Sequence, residues 1–431
     1  MSDAPADRFP WRQVVVAAFL PTILFSIGEG AIIPIIPVVA DDLGAGLAAA
    51  GLISAMLVVG ELLGDMPAGS LVARIGERYA MIGAAVLSIV GVLVSVLAPD
   101  PWLLGVGILL IGVATAVFAL ARHAFMASFV PPMYRARALS TLGGTTRLGM
   151  LIGPFVTAAV IQATGVAAHA FWIHLAACVA AIIALVVLHD PEDIVTTRPG
   201  QGAREAVEEE RGLFRTIVAN RRVLATLGTG SALVAALRAS RNVILPLWAV
   251  SIGLDEATTA IIIGAAATLD FGLFYTGGWI MDRFGRLWTV VPSMIGLGSF
   301  HLLLAFTHDL DQAQLWFAAI AALLSLSNGI GAGVLMTLGA DLADPNHPAP
   351  FLGAWRFTND TGAALAPLII AGVTALASLP VAAGVMGVLG LLGALNMRVY
   401  VPRYVATRRP PRDAGPGDAG PGDGAPAPSA D

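Results

Sequence analysis

The stretch GWIMDRFGR, residues 278–286, places three charged side chains directly after a long apolar run. These are Asp282, Arg283 and Arg286. A related stretch, GSLVARIGER, lies at residues 69–78 and also ends an apolar run. Because arginines collect in loops on one side of a membrane, the two stretches predict two equivalent loops between membrane-spanning segments.

The composition predicts a membrane protein. Of 431 residues, 57% are hydrophobic and only 12% are charged, and the mean hydropathy is +0.81. Soluble domains carry about 25% charged residues. No run alternates with a period of two, so the spans are predicted to be helices rather than barrel strands. Twelve runs reach the length of about 20 residues that a span needs, near 13–39, 47–73, 79–98, 102–128, 136–164, 169–188, 222–251, 256–281, 286–307, 312–340, 349–376 and 379–401.

The arginines at the ends of these runs predict the topology. They lie near both termini and in the loops after runs 2, 4, 6 and 8, whereas the intervening loops, such as ADDLG at 40–44, hold none. By the positive-inside rule, both termini are expected in the cytoplasm and the span count is even. The expected location is a bacterial-type inner (plasma) membrane, crossed many times.

Two weak internal matches predict a duplicated chain. Gly69 and Gly76 correspond to Gly278 and Gly285 at an offset of 209 residues, and a second match at an offset of 213 pairs Pro154 with Pro367. Parallel repeats with a binding site near the membrane midplane are typical of transporters. The predicted units are a six-helix bundle at 1–188, a cytoplasmic linker at 189–221, a second six-helix bundle at 222–401 and a disordered cytoplasmic tail at 402–431.

The sequence offers no enzyme motif. It contains no lysine, which excludes a lysine-dependent phosphate loop. The single cysteine, Cys178, excludes a cysteine metal site, and neither H-E-x-x-H nor G-x-S-x-G occurs. We therefore expect no catalytic residues, no cofactor, no metal and no nucleic-acid partner.

Ten acidic and arginine residues lie inside the apolar runs, away from the ends of each run. A charged side chain at the bilayer centre costs from about 3 to over 10 kcal/mol, so it is normally paired and functional. The ten divide equally between acids and arginines, which predicts pairing. They are Glu29, Glu61, Asp65, Asp270 and Asp360, and Arg122, Arg147, Arg238, Arg241 and Arg356.

These features resemble the major facilitator superfamily. Its signature loop reads roughly Gly-x-x-x-Asp-Arg-x-Gly-Arg-Arg. The second copy here is nearly complete, whereas the first has Ala73 in place of the aspartate. The resemblance implies an all-α membrane protein of twelve helices in two pseudo-symmetric six-helix bundles. The signature positions are Gly69, Arg74, Gly76 and Arg78 in the first copy and Gly278, Asp282, Arg283, Gly285 and Arg286 in the second.

A further element resembles the drug/proton antiporters of that superfamily. Gly149, Gly153 and Pro154 match their signature in the fifth span. One departure is Ile108, which stands where those antiporters usually carry an arginine in span 4. The resemblance to this branch therefore covers only part of its pattern.

In the resembling fold, spans 5 and 8 face each other across the two halves, as do spans 2 and 11. Depth along each helix then predicts a pair of Arg147 with Asp270. It also places Asp65 level with Arg356, and Glu61 level with Asp360, and such pairs would close the cytoplasmic side. The alternative is local: Arg356 and Asp360 are four residues apart and could satisfy each other on one helix.

Glu29 is the predicted proton-coupling or substrate residue, together with Glu61, Asp270 and Asp360. It lies between two glycines, Gly28 and Gly30, which we expect to leave space beside the carboxylate. A carboxylate in an apolar cavity can take up a proton. The alternative is a permanent ion pair with Arg241. The remaining intramembrane arginines, Arg122, Arg147, Arg238 and Arg356, and Asp65 are predicted to form ion pairs or a gate.

The predicted function is secondary active transport by alternating access. The first expectation is a monomeric, proton-coupled antiporter that exports small hydrophobic or cationic compounds, as in multidrug efflux. An importer or facilitator of a metabolite, such as an organic anion, is the alternative, and a non-transporting receptor on the same fold is a third. The resemblance also implies that the loop at Asp282 latches neighbouring span ends, so Ala73 predicts a weaker latch in the first half.

Overall fold

The structure, a computed structural model, describes residues 11–130, 132–187, 216–344 and 348–405, and within them the regular structure is entirely helical. Twelve helices in these ranges are long and apolar enough to cross a membrane, as predicted. They are α1 (Trp11–Ile32), α2 (Leu47–Ile75), α3 (Glu77–Val96), α4 (Pro101–Phe129), α5 (Pro132–Thr164), α6 (Ala170–Val187), α7 (Thr229–Ser251), α8 (Glu256–Phe284), α9 (Leu287–Ala305), α10 (Ala313–Ile330), α11 (Pro348–Leu376) and α12 (Leu379–Tyr404).

Short irregular helices extend several spans. Helix α1 continues through a 3₁₀ turn, Ile33–Ile35, into a short α-helix, Ile36–Asp42. A 3₁₀ turn at Ala167–His169 precedes α6, while Arg221–Val223 and a π-helical turn at Leu224–Gly228 lead into α7. Proline at positions 34 and 37 removes backbone donors, which explains the change of helix type after α1.

The tenth span is broken, although the sequence predicts one continuous run at 312–340. Helix α10 ends at Ile330 and a second helix, Val334–Leu342, follows after three glycine and alanine residues. Gly333 has a φ of +78°, which side-chain-bearing residues rarely adopt. The break therefore rests on a glycine that a hydropathy profile does not distinguish from its apolar neighbours.

The two signature loops share one backbone conformation. Gly76 ends α2 with a φ of +84°, and Gly285 ends α8 with a φ of +96°. In each loop the glycine N–H donates to a carbonyl four residues earlier, that of Val72 or Met281. This equivalence supports the predicted repeat at the level of the backbone. We call the end of the molecule at Gly76 and Gly285 the signature end.

Glycines set the closest helix contacts inside each half. A Cβ atom at Gly112 of α4 would collide with the Leu57 carbonyl of α2, and one at Gly60 would collide with the Leu109 carbonyl. The second half repeats this packing between α8 and α10, where a Cβ at Gly277 would collide with the Ile330 carbonyl. Small residues allow such approaches where lipid provides no hydrophobic drive between helices.

The halves meet along α2 with α11 and along α5 with α8, the pairs that the resemblance implied. At the end opposite the signature loops, a Cβ added at Gly51 of α2 would lie 3.2 Å from Leu247 of α7 and 3.6 Å from Ala371 of α11. One added at Gly264 of α8 would lie 3.0 Å from the Phe155 ring of α5. The halves are therefore packed together at that end.

Helix α12 extends to Tyr404, so the prediction of a disordered tail from residue 402 is wrong for residues 402–404, which are helical. Most of the predicted linker at 189–221, and residues 406–431 of the predicted tail, lie outside the described residues.

In the loop before α8, Asp255 accepts a hydrogen bond from the Thr258 N–H at 2.9 Å. Hydrogen bonds from Thr258 lower the pKa of the Asp255 carboxyl, as is typical of a charged helix cap.

The contact between α2 and α4 yields a test of stability. We expect Gly112→Ala to lower the free energy of unfolding by about 1–3 kcal/mol, because the added methyl group overpacks the crossing. The matched control is Gly83→Ala in α3, where no atom lies within 4 Å of the added Cβ. Thermal denaturation in detergent measures both, and the control should be neutral or slightly stabilising because alanine favours helix. Equal melting temperatures for the two variants would contradict the close crossing.

Candidate functional site

A cavity of about 420 Å³ lies between the two halves. Its wall includes residues of α1, α5, α7, α8, α10 and α11. Four charged side chains line it: Arg147 from the first half, and Arg238, Arg241 and Asp270 from the second. Side chains of opposite halves therefore meet in one site, the arrangement that transport by alternating access requires.

Asp270 lies at the centre of this site. The Asn328 side-chain amide donates to both carboxylate oxygens at 3.0 Å. Arg147 Nη1 lies 3.6 Å from Oδ2, and Arg241 Nη2 lies 3.5 Å from the same oxygen. The predicted pair of Arg147 with Asp270 is thus confirmed, and Asp270 also holds a second arginine that the sequence did not assign to it.

The remaining contacts of the three arginines come from different helices. Arg241 Nη1 donates to Ser325 Oγ at 2.9 Å, and Arg238 donates to the Gly331 carbonyl at the break after α10. The Arg147 guanidinium lies over the Phe274 ring, 4.7 Å from its centroid. Arg147 is the most open member of the central ion-pair group, with 29% of its side chain exposed against 13% for Arg241 and 14% for Asp270.

A second group of charges lies on α1, α2, α4 and α11. Arg356 Nη2 lies 3.8 Å from Asp65 Oδ1 across the halves, and Arg356 Nε lies 3.4 Å from Asp360 Oδ2 within α11. The cross-half and local alternatives for Arg356 are therefore both present at once. The predicted partnership of Glu61 with Asp360 is wrong as an ion pair, because the two carboxylates act on each other as like charges.

Glu29 is buried, with 6% of its surface exposed. Its oppositely charged neighbour is Arg122 of α4. The alternative partner predicted from the sequence, Arg241, instead contacts Asp270. The prediction failed because the rotation of α7 turns Arg241 toward α8, and helix rotation is not readable from an apolar run.

The glycines that flank Glu29 do not leave the expected space beside it. A Cβ at Gly28 would collide with the His174 side chain of α6. One at Gly30 would lie 2.9 Å from the Met150 Cα of α5. Both glycines therefore allow neighbouring helices to approach α1, and the burial of Glu29 follows from that close packing.

The helix-5 signature has the same structural role from the other side. A Cβ at Gly149 would lie 2.6 Å from Ser26 Cβ of α1, and one at Gly153 would lie 2.5 Å from the Ala31 nitrogen. Pro154 lines the cavity. The signature therefore fixes α5, and with it Arg147, against α1. Ile108, which replaces the expected arginine of α4, is fully buried.

The two signature loops form different links. Arg78 donates to the carbonyls of Leu185 and Val186 at the end of α6, at 2.7 and 3.1 Å. Arg286 donates from Nε and Nη2 to the two Asp341 carboxylate oxygens at 2.8 and 3.2 Å. The second link therefore holds the short helix Val334–Leu342 against the start of α9.

The Asp282 side chain does not provide the expected latch. It is exposed, and no hydrogen bond or ion pair joins its carboxylate to another side chain in the described parts of the chain. Arg283 instead lies near the rings of Trp279 and Phe284. Ala73, at the equivalent position in the first half, packs against apolar core residues. The two loops are unequal as predicted, but the difference lies in Arg286 with Asp341.

The charged members of the cavity are readable from the sequence, whereas several of their partners are not. Asp341 and Ser325 carry no motif that marks them, and only the folded chain brings them to Arg286 and Arg241. Asn328, which lines the cavity, is a polar residue in an otherwise apolar span, and this contrast is a signal from which the sequence alone could identify it.

The chain belongs to the Major Facilitator Superfamily, whose family model matches residues 18–275 and 227–428. It is therefore a multi-pass membrane transporter with the superfamily's all-helical fold. Among curated proteins, uncharacterized MFS-type transporters of two Mycobacterium tuberculosis strains are 27% identical over 386 residues, which cover 83% of this chain and 85% of each relative. The facilitated glucose transporter member 12 of solute carrier family 2 from Danio rerio is 31% identical over 97 residues, which span 22% of this chain and only 16% of that protein.

Solved structures give the same fold. A D-xylose-proton symporter superposes with a TM-score of 0.70 at 14% identity, over 92% of this chain and 98% of the symporter. An auto-inhibited peptide transporter of the POT family superposes with a TM-score of 0.68, also at 14% identity, over 93% of this chain and 99% of that one. At such identities the similarity establishes the architecture alone.

The loop geometry yields a test of which residue anchors the signature end. We expect Arg286→Gln and Asp341→Asn each to destabilise the protein by about 1 kcal/mol, because each removes one side of a partly exposed bidentate pair. The double variant should be no less stable than either single variant, because both changes remove the same interaction. The measurement is thermal denaturation, with Asp282→Asn as the matched control. A larger loss of stability for Asp282→Asn than for Arg286→Gln would show that Asp282, and not Arg286, anchors the signature end.

Proposed function

We propose that this protein is a secondary transporter that carries a small organic anion through the cavity between its halves. The observation that carries the proposal is the sign of the cavity's charge. Three arginines, Arg147, Arg238 and Arg241, line it with one carboxylate, Asp270. A cationic compound would meet a net repulsion there, so the cavity favours the anion alternative over export of cations.

The chemistry of these arginines suits a carboxylate or a similar oxyanion. A guanidinium presents several donors in a planar fork that matches such groups. The site already holds one carboxylate, because Asp270 sits among two guanidinium groups and an amide. The apolar part of the wall, which includes Ile33, Ile263 and Phe271, provides contact area for a short carbon skeleton.

The position of Asp270 also supports a coupling between substrate binding and the relative movement of the two halves. Arg147 belongs to the first half, whereas Arg241 and Asp270 belong to the second. A substrate anion that approaches Arg147 competes with Asp270 for the same donors. Binding then replaces a direct link between the halves by a link through the substrate, which couples occupancy to the relative position of the halves.

We include proton coupling in the proposal. The buried Glu29 and its neighbour Glu61 support it, because a proton can neutralise a carboxylate that lies away from water. A solved structural neighbour is described as a D-xylose-proton symporter, which is consistent with such coupling on this fold. Both termini in the cytoplasm, a bacterial-type inner membrane and a monomeric state complete the proposal, the first supported by the arginine distribution.

The anion proposal and the cation-efflux alternative predict opposite substrate selectivity. In proteoliposomes with an imposed pH gradient, we expect flux of small organic acids and none of a cationic dye such as ethidium. Arg241→Gln should reduce the affinity for the acid about tenfold or more, because it removes a charged hydrogen-bond donor. Arg403→Gln is the matched control, because Arg403 lies at the end of α12 beside Tyr400. Transport of ethidium with no response to any acid would overturn the proposal.

The proton-coupling proposal predicts a separate effect at Glu29. Glu29→Gln keeps the size of the side chain and removes its titration, so we expect substrate exchange to persist while the response to a pH gradient is lost. The measurement compares counterflow, which needs no proton gradient, with gradient-driven uptake in the same vesicles. Gradient-driven uptake at the wild-type level would exclude Glu29 as the coupling residue.

A further inference from the structure

The residues that line the cavity carry more positive than negative charge. Its lining contains three arginines and one aspartate, a formal excess of two positive charges. Charges inside a membrane protein are normally paired, because an unpaired charge away from water is costly. The excess positive charge therefore indicates that the cavity binds a negatively charged ligand.

The acidic group on α1, α2 and α11 does not supply the missing charge. The electrostatic neighbours of Arg147 and Arg238 are Asp270 and the other cavity arginines. Those of Glu61 are Glu29, Asp65, Asp360 and Arg356. The acidic group thus interacts with its own arginines, and within the described residues the excess in the cavity stays local.

Asp270 satisfies its arginines only in part. Arg147 and Arg241 approach one and the same oxygen, at 3.6 and 3.5 Å. Charge-assisted N–H···O bonds are usually about 2.7–2.9 Å long. The Asn328 amide also donates to both carboxylate oxygens at 3.0 Å. Because their own contacts with Asp270 are long, the two guanidinium groups keep donor capacity for another oxyanion.

Arg238 adds a third positive charge that no carboxylate contacts in the described residues. It donates to the Gly331 carbonyl, but its Nε is buried with no hydrogen-bond partner. A carbonyl carries no net charge, so the guanidinium charge of Arg238 is not neutralised by that bond. An additional oxyanion near Arg238 would balance it.

From this charge count we propose that the substrate is a compact dianion: a short dicarboxylate or a monophosphate ester. This inference rests on the proposed anion transport and specifies its substrate class. Two negative charges neutralise the cavity, whereas one leaves a buried positive charge uncompensated. Arg147 and Arg241 contact the same Asp270 oxygen, and Arg147, Arg241 and Asp270 are the charged neighbours of Arg238. The two charges of the substrate therefore lie close together, which favours a small skeleton.

The test compares pairs of ligands that differ in charge and little else. Succinate and butyrate share a four-carbon chain with two charges and one, and methyl phosphate and methyl sulfate are a corresponding pair of tetrahedral esters. Binding to the purified full-length protein is measured by calorimetry at pH 8 and constant ionic strength. We expect the dianion of at least one pair to bind about tenfold or more tightly than its monoanion, and the pair that responds identifies the head group.

Charge-count variants separate this inference from a general preference for anions. Arg238→Gln and Arg241→Gln each lower the excess by one, so the preference for the dianion should fall toward unity in both. Arg241→Lys keeps the charge and should keep the preference, and Arg403→Gln alters the net charge of the protein away from the cavity. A variant that is misfolded by size-exclusion chromatography is replaced by the other arginine variant.

The outcomes distinguish the two levels of the proposal. Equal binding of monoanions and dianions by the wild type would overturn the dianion inference and leave anion transport standing. An unchanged preference in both glutamine variants would also overturn it, because the selectivity would then not arise from the arginines. Binding of ethidium or xylose with no binding of any of the four anions would overturn anion transport itself.

Discussion

An ionised side chain inside a membrane must find an opposite charge or a hydrogen-bond partner, and this requirement organises the middle of the protein. Asp270 meets it by holding Arg147 from the first half and Arg241 from the second, while Asn328 fixes the carboxylate from a third helix. The same interaction therefore stabilises the charges, joins the halves and defines the cavity. Its incompleteness, with more arginine than carboxylate, is what gives the cavity its chemistry.

Close packing of small residues brings these charges together. Gly149 and Gly153 allow α5 to lie against α1, and this contact positions Arg147 at the interface of the halves. In the second half, a Cβ at Gly329 would lie 2.9 Å from the Asp270 carbonyl, so α10 approaches α8 closely enough for Asn328 to reach the carboxylate. Helices without such contacts would lie farther apart, and the polar side chains between them could not meet.

The intramembrane charges fall into two groups of opposite sign. The cavity group is dominated by arginine, whereas the group around Glu29, Glu61 and Asp360 is dominated by carboxylates and contains Arg122 and Arg356. Under the proposed function, the arginine group binds the anion and the carboxylate group holds the proton. The two groups lie on different helices, and Arg356 connects the second group across the halves through Asp65.

The sequence by itself determined the number of spans, the repeat and one central ion pair. The spans follow from hydropathy and the repeat from the positions of Gly76 and Gly285. The ion pair follows from the depth of Arg147 and Asp270 along their helices, together with the facing of spans 5 and 8 that the family resemblance implies. Only the tertiary structure decided that Arg241 contacts Asp270 rather than Glu29, that Asp341 rather than Asp282 anchors the second signature loop, and that the cavity has excess positive charge. Those outcomes depend on the rotation of each helix about its axis. Hydropathy along a span does not show which neighbouring helix a charged side chain faces, so the choice of partner is made only when the helices pack.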